Sequence, residues 1–355
     1  MTDAVQLRLA DLTTLRVGGP AKKLITAQTE AELIDAVRAA DGAGEPLLII
    51  GGGSNLLISD DGFDGTVITV ATRGRDADVS GCSGAVITLA AGEPWDDFVA
   101  EAVAQGWSGL EALSGIPGLV GATPIQNVGA YGAEISQTLA SVRTLDRQAG
   151  QQKTFAVSDC GFGYRWSRFK AEPDRYVILS VTLQLKLGDL SAPVAYAQLA
   201  QALGVPIGTR VPAAAVRDAV LELRRSKGMV LDEDDHDTWS AGSFFTNPVL
   251  TVEASRLLPE AAPRYPQPDG SIKTSAAWLI EHAGFEKGYA GKDHAAIGHR
   301  SPPVTLSGKH TLALTNRGGA TAADLLRLAR EIRAGVLDRF GVTLVPEPNL
   351  VNCTL

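Results

Sequence analysis

Three cysteines, Cys82, Cys160 and Cys353, are too few and too widely spaced for a disulfide framework, and none has the paired spacing of a zinc site. Positive charge is also scarce: 32 Lys and Arg stand against 40 Asp and Glu, a net charge of −8, and no basic block interrupts that balance. A nucleic-acid partner, whose phosphates need a basic face, is thereby excluded, although a local positive pocket is not. Met1–Ala10 lacks a continuous apolar core and carries Asp3 and Arg8, so it reads as neither signal peptide nor membrane span. A cytoplasmic protein with no membrane partner is expected. No internal repeat, low-complexity tract or Gly-x-Ser-x-Gly nucleophile elbow occurs.

What the chain does have is apolar and loop-rich. Hydrophobic residues make up 45%, with 38 glycines and 18 prolines, which suits a folded α/β or α+β protein, and 355 residues favour two or three domains. The most informative stretch is Gly51-Gly52-Gly53-Ser54-Asn55, directly after the apolar run Leu47–Ile50. Consecutive glycines after a buried strand leave no side chain between the backbone N–H groups and an anion, and Ser54 and Asn55 add donors. Phosphate binding is one reading; a tight turn without a ligand is the other.

The local pattern surrounds this loop with regular elements. Thr29 and Glu32 form a capping-box pattern before Leu33, Ile34 and Val37, and Gly42 with Gly44 closes that helix. Strands are predicted at Leu47–Ile50, Leu56–Ile58, Gly65–Val70, Val86–Ala90, Tyr176–Leu187 and Val342–Val345. Helices are predicted from Pro94 to Gly106, over Pro212–Arg225, and after Thr321 and Asp324 until Gly341. Between Leu113 and Gly132 the chain turns irregular, small and almost uncharged, which points to burial against a flat, polar-edged ligand or to a closely packed crossing loop.

Three constellations carry candidate chemistry. In Ser158–Ser167, an extended chain would put Arg165 on one face with Gly161, Gly163 and Ser167, where its planar fork suits a carboxylate. In Gly242-Ser243-Phe244-Phe245, an apolar wall would shield a serine able to donate a proton if cations stabilise the alkoxide. Glu347 is fixed between Pro346 and Pro348. Arginine, serine and glutamate without histidine or metal suggest proton and charge management at an unsaturated acid. Asp232–Asp237, five acidic residues around His236, lacks EF-hand spacing and is expected to be a solvated loop beside a domain boundary.

These motifs occur in an order that resembles the UDP-N-acetylenolpyruvoylglucosamine reductases: the glycine loop, Gly115-Ile116-Pro117-Gly118, Gln126-Asn127-Val128-Gly129-Ala130-Tyr131-Gly132, Phe162-x-Tyr164-Arg165-x-Ser167, and Gly242-Ser243-Phe244-Phe245-x-Asn247-Pro248. The likeness runs from Thr13-Thr14-Leu15 to Pro346-Glu347. It implies an α+β fold with a two-part FAD-binding domain of the PCMH, vanillyl-alcohol-oxidase-like type and a smaller substrate-binding domain. The implied division is 1–227 for FAD, in parts 1–72 and 73–227 with 341–355 packing back on it, and 228–340 for substrate.

The resemblance further implies FAD and NADPH as cofactors and a UDP-sugar substrate; beside it, the sequence carries the expectation of no metal and of a monomer. FAD would be enclosed by Gly51–Asn55, Gly115–Gly118 and Gln126–Gly132, and the catalytic Arg, Ser and Glu match Arg165, Ser243 and Glu347. Tyr164, Lys227 and Asn247 match substrate contacts, and Tyr196 matches the substrate-covering tyrosine loop of one subgroup. The acidic stretch is longer than the family's corresponding segment. An oxidase of the wider FAD fold and a non-catalytic flavin-binding regulator are the competing readings.

Overall fold

A capping box starts the first helix, Glu30–Ala43, as its sequence predicts. Thr29 Oγ1 accepts the Glu32 N–H, Glu32 Oε2 accepts the Thr29 N–H, both at 3.2 Å, and Gly44 ends the helix at φ 65°. These coordinates are those of a computed structural model that describes residues 8–292 and 301–355; residues 1–7 of the N-terminal stretch read above lie outside the described residues. The chain forms two units interleaved in sequence. One, the sheet unit, comprises residues 22–52 and 64–226; the other, the long-helix unit, comprises the segment ending at Ala21, residues 53–63 and the chain from Lys227 onward.

Among the described residues the sheet unit holds two larger sheets and the two-stranded pair Gly129–Ala130 with Ala133–Glu134. Leu47–Ile50 runs parallel to Phe63–Val70 in a three-stranded sheet that also takes in Ala21–Ala27. The larger, antiparallel sheet is ordered Gln151–Ala156, Leu139–Asp146, Tyr176–Leu187, Gly84–Ala90 and Arg75–Ser80, with Trp107–Ser108 on the end of the central strand. Gly84–Ala90 alternates and buries Ala85, Ile87 and Leu89, whereas Tyr176–Val181 is buried residue after residue, the pattern of a strand covered on both faces. Helix Trp95–Ala104 adds Trp95, Phe98, Val99 and Ala102 to the same core. A smaller cluster of Val194, Leu199, Val216 and Val220 joins helices Ala197–Leu203 and Ala213–Arg225.

The long-helix unit is built on Ala322–Phe340, opened by the Thr321–Asp324 capping box and closed by Gly341 at φ 69°. Asp60 adds a second anchor, its carboxylate accepting the Ala322 and Ala323 N–H groups at 2.8 and 3.0 Å. Leu325, Leu328, Ile332 and Val336 face Leu15, Leu57, Phe244 and Phe245 in one core. Ile332 is fully buried there, so Ile332→Ala is expected to lower the free energy of unfolding by about 2–5 kcal/mol, read from the urea midpoint. Among the described residues no helix is long and apolar enough to cross a membrane.

One expectation is corrected near the C-terminus. Val342–Val345 does not form a strand; regular pairing starts at Asn349–Val351, parallel to Leu56–Ile58. Pro346 and Pro348 lack the N–H groups that a ladder needs, so the strand begins only past them. That parallel pair accompanies the grouping of residues 53–63 with the long-helix unit.

Candidate active site

In the sheet unit, a Cβ added at Gly52 would lie 2.7 Å from Gly118 Cα, so two glycine segments remote in sequence meet backbone to backbone. The Gly115 peptide is held from both sides. Its N–H donates to Asp96 Oδ1 at 2.6 Å, and its carbonyl accepts from Arg224 Nε at 3.1 Å. Asp96 is itself gripped by both Nη atoms of Arg217, at 2.6 and 3.0 Å. Sequence reasoning missed these three residues as site residues: Asp96 reads as a first-turn acid and Arg224 as a helix end, and only their buried partners give them a further role.

Burial pushes the Asp96 carboxyl up, yet the hydrogen bonds from Arg217 and the Gly115 N–H hold it below its ordinary value. Its folded pKa is thus lower than its unfolded one, so its stabilisation is complete above the unfolded value, near 4, and is lost as pH falls through the folded value. The melting temperature of the protein should exceed that of Asp96→Asn by a constant margin from pH 7 to about pH 5 and converge with it in more acid buffer.

Gln126–Gly132 meets the arginine turn in the same unit. Buried Asn127 donates from Nδ2 to Glu134 Oε2 at 2.8 Å and to the Gly163 carbonyl at 3.1 Å, and its Oδ1 accepts the Ser136 N–H at 3.2 Å. Asn127, Tyr131 and Arg165 have φ of 47°, 50° and 52°, and account for three of the five left-handed non-glycine residues described. Such strain concentrates where a surrounding structure holds a site in place. Ile116, Pro117 and Ala130 are half-buried, and Tyr131 meets Tyr196 edge to face at 5.6 Å.

The expectation of an extended Ser158–Ser167 is not met. Gly163 and Trp166 exchange backbone hydrogen bonds at 3.0 and 3.1 Å, which puts Tyr164 and Arg165 at the tip of a tight turn. Nonlocal contacts impose the turn: the Arg168 N–H donates to Cys160 O at 2.8 Å, and Ser167 caps the short helix Arg168–Ala171. Arg165 therefore shares no alternating face with Gly161, Gly163 and Ser167. Its guanidinium packs on Gly129, where a Cβ would come within 3.2 Å of Nη1.

In the long-helix unit the remaining candidates gather around one backbone pairing. The Glu347 N–H donates to Phe244 O at 2.8 Å and the Thr246 N–H to Val345 O at 3.0 Å, so the serine segment and Pro346-Glu347-Pro348 run side by side. Asn55, on the end of the glycine loop, accepts the Asn349 N–H at 2.9 Å and donates from Nδ2 to Glu347 O at 3.4 Å. Phe244 and Phe245 are buried beneath Ser243, whose Oγ lies 3.4 Å from His310 Nε2. His310 was not singled out in the sequence, where it belongs to no motif. Asn247 Oδ1 accepts the Ala276 N–H at 2.9 Å at the start of helix Ala276–His282, Ser54 is half-buried, and Lys227 is half-buried where this unit resumes.

The acidic stretch binds a neighbouring hairpin rather than standing alone in solvent: Asp235 pairs with Lys309 at 2.5 Å, and Asp237 accepts from Arg317 and from the Gly308 N–H at 3.1 and 3.0 Å. Among the described residues no cluster of His, Cys, Asp and Glu is arranged to hold a metal ion. A dinucleotide fits the sheet unit, because Gly52 and Gly118 exclude side chains from the loop and Asp96 and Arg224 fix the peptide beside it.

Comparison with known proteins agrees with that fit. Residues 21–155 match the FAD binding domain model and residues 234–351 match that of the UDP-N-acetylenolpyruvoylglucosamine reductase C-terminal domain. The chain is 58% identical to UDP-N-acetylenolpyruvoylglucosamine reductase of Cutibacterium acnes and 56% identical to that of Streptomyces coelicolor, covering 98% of this chain and 90% of each relative. A crystal structure of the corresponding reductase from Thermus caldophilus superposes with a TM-score of 0.64 at 27% identity over 97% of both chains. The α+β architecture with a PCMH-type FAD-binding domain expected from the sequence is thereby established, and the protein is an FAD-dependent oxidoreductase. The chain belongs to the UDP-N-acetylenolpyruvoylglucosamine reductase family.

Proposed function

We propose that this chain reduces the enolpyruvyl group of UDP-N-acetylglucosamine enolpyruvate to give UDP-N-acetylmuramate, a peptidoglycan precursor, with NADPH as electron source. The observation that carries the reading is the pairing of the Ser243 segment with Pro346-Glu347-Pro348, which supports a proton donor and a carboxyl group serving one substrate. Gly51–Asn55, Gly115–Gly118 and Gln126–Gly132 would hold FAD, which when bound supplies the hydride. Tyr164, Lys227 and Asn247 would contact the nucleotide sugar. The exposed Tyr196 before helix Ala197–Leu203 supports assignment to the subgroup with a substrate-covering tyrosine, and the reaction belongs in the cytoplasm, where NADPH is available.

The protein's own part follows from charge flow. Addition of hydride at the terminal enol carbon pushes negative charge onto the neighbouring carbon and its carboxylate. Arg165 would bind that carboxylate and draw the charge, since its planar fork donates two parallel hydrogen bonds. Glu347, in protonated form, would add a third hydrogen bond, and Ser243 would protonate the carbon, its hydroxyl kept from bulk water by Phe244 and Phe245. The test is a colour change in two steps. NADPH should bleach the yellow protein rapidly, and UDP-N-acetylglucosamine enolpyruvate should restore the colour without oxygen; failure of the second step would refute the assignment.

Arg165→Lys keeps the charge but loses the fork. It is expected to raise KM for the enolpyruvyl nucleotide and to lower kcat/KM about 10²-fold or more, measured by steady-state NADPH oxidation.

A further inference from the structure

A serine that gives up its proton each turnover must recover one, and a free alkoxide is too basic to persist in a dry site. Ser243 has one titratable neighbour fitted to that task in the hydrogen bonds described: His310, whose Nε2 is 3.4 Å from Ser243 Oγ. That is long for a hydrogen bond, as such contacts often are before substrate tightens them. Imidazole exchanges protons near neutral pH, where serine does not.

The surroundings of His310 show that its position is built rather than incidental. It sits in the turn between strands Val304–Leu306 and Leu314–Asn316, where Ser307 Oγ accepts the N–H groups of Lys309 and His310 at 2.9 and 3.2 Å. The turn is joined to the serine segment directly, since the Phe244 N–H donates to Leu312 O at 2.7 Å. Its outer side is clamped by the acidic stretch. Asp235 holds Lys309, while Asp237 holds the Gly308 N–H and, through Arg317, the returning strand. Thr238 Oγ1 closes the stretch on itself by donating to the carbonyls of Asp232 and Asp235 at 2.7 and 2.8 Å. On the third side, Thr311 donates to Glu281 of helix Ala276–His282. Among the described charged groups on the elements packed against this turn are Asp232, Asp235, Asp237, Lys309, Arg317, Glu281 and, beyond the Phe244 segment, Glu347, with His236 and His282 as further titratable side chains.

We infer that His310 is a positioning and proton-returning residue for Ser243, and that the acidic stretch Asp232–Asp237 serves to hold its turn against the serine. The inference rests on the reading of Ser243 as proton donor. In balance, the Ser243 O–H bond breaks as the C–H bond forms on the substrate, and its electron pair stays on Oγ. Oγ then takes the proton from His310 Nε2, whose N–H electron pair stays on the ring, and the ring is reprotonated by water. One solvent proton is consumed per turnover, as hydride plus proton addition across a double bond requires. The acidic stretch, which no motif of the sequence explains, thereby acquires a task.

The experiment separates the two half-reactions by stopped-flow absorbance of the FAD-loaded protein. Relative to flavin reduction by NADPH, reoxidation by UDP-N-acetylglucosamine enolpyruvate should slow about 10-fold or more in His310→Ala. Imidazole in the buffer should restore that rate in His310→Ala and leave Ser243→Ala unrestored. His310→Gln, which keeps a hydrogen bond but has no group that acts as an acid near neutral pH, should remain slow; Asp237→Asn should lie between it and the parent. In protein free of FAD, Ser243→Ala should shift the His310 ring resonances. Unchanged reoxidation in both His310 variants, or full recovery in His310→Gln, would overturn the proton role. If the parent protein itself is not reoxidised by this nucleotide, the functional reading fails instead, and the inference with it.

Discussion

Ser243→Ala is expected to leave flavin reduction by NADPH near its normal rate and to slow reoxidation by the enolpyruvyl nucleotide about 10²–10⁴-fold, the range typical of a lost general acid. Losing the hydroxyl alters little else. Phe244 and Phe245, which carry the packing of this segment, are buried next to it, and the backbone pairing with Glu347 uses main-chain atoms only. Fold and substrate affinity should therefore survive, so KM should move much less than kcat. Ser243→Cys supplies a converse test. A thiol has an ordinary pKa near 8.5 and gives up a proton more readily than a hydroxyl, so this variant should recover part of the rate lost in Ser243→Ala. Single-turnover absorbance distinguishes the outcomes, and an alanine variant reoxidised at the parent rate would show that the carbon takes its proton from elsewhere.

The elements that could be read from sequence are those whose causes lie within a few residues. Thr29 with Glu32 and Thr321 with Asp324 cap helices through bonds that span three positions, and the glycines that end those helices adopt left-handed φ within the same turn. The elements misread depend on distant partners. An apolar run such as Val342–Val345 looks like a strand until the two following prolines and the pairing of Asn349–Val351 with Leu56–Ile58 are taken together. Alternation in Ser158–Ser167 is cancelled by the bond from Arg168 back to Cys160. The candidate site divides the same way. Arg165, Ser243 and Glu347 stand out because their neighbours are glycine, phenylalanine and proline, residues with strong local consequences. Asp96 and Arg224 do not, because they act on Gly115 from 19 and 109 positions away, and His310 reaches Ser243 from 67.

The glycine loop allows the sharpest separation of cofactor binding from folding. Gly52 does not adopt a left-handed φ, so alanine fits its backbone, but the added Cβ would stand 2.7 Å from Gly118 Cα, closer than real Cβ contacts allow. One of the two segments must move. Such a shift costs roughly 1–3 kcal/mol, and if it falls on the loop proposed to hold FAD it should weaken FAD binding by about 10–100-fold while lowering the melting temperature only slightly. Gly53 is the opposite case. It requires φ 62°, and a Cβ would sit 1.8 Å from Leu12 O, an overlap with main chain that no rotamer relieves. Left-handed strain alone costs about 1–2 kcal/mol, and the overlap adds to it, so Gly53→Ala should lower the melting temperature by roughly 10 °C whether or not FAD is present. Yellow absorbance per chain after gel filtration reports the first effect, and differential scanning calorimetry the second. Gly52→Ala retaining FAD with an unchanged release rate would remove the loop from the cofactor site without touching the family assignment, because that assignment rests on the whole chain.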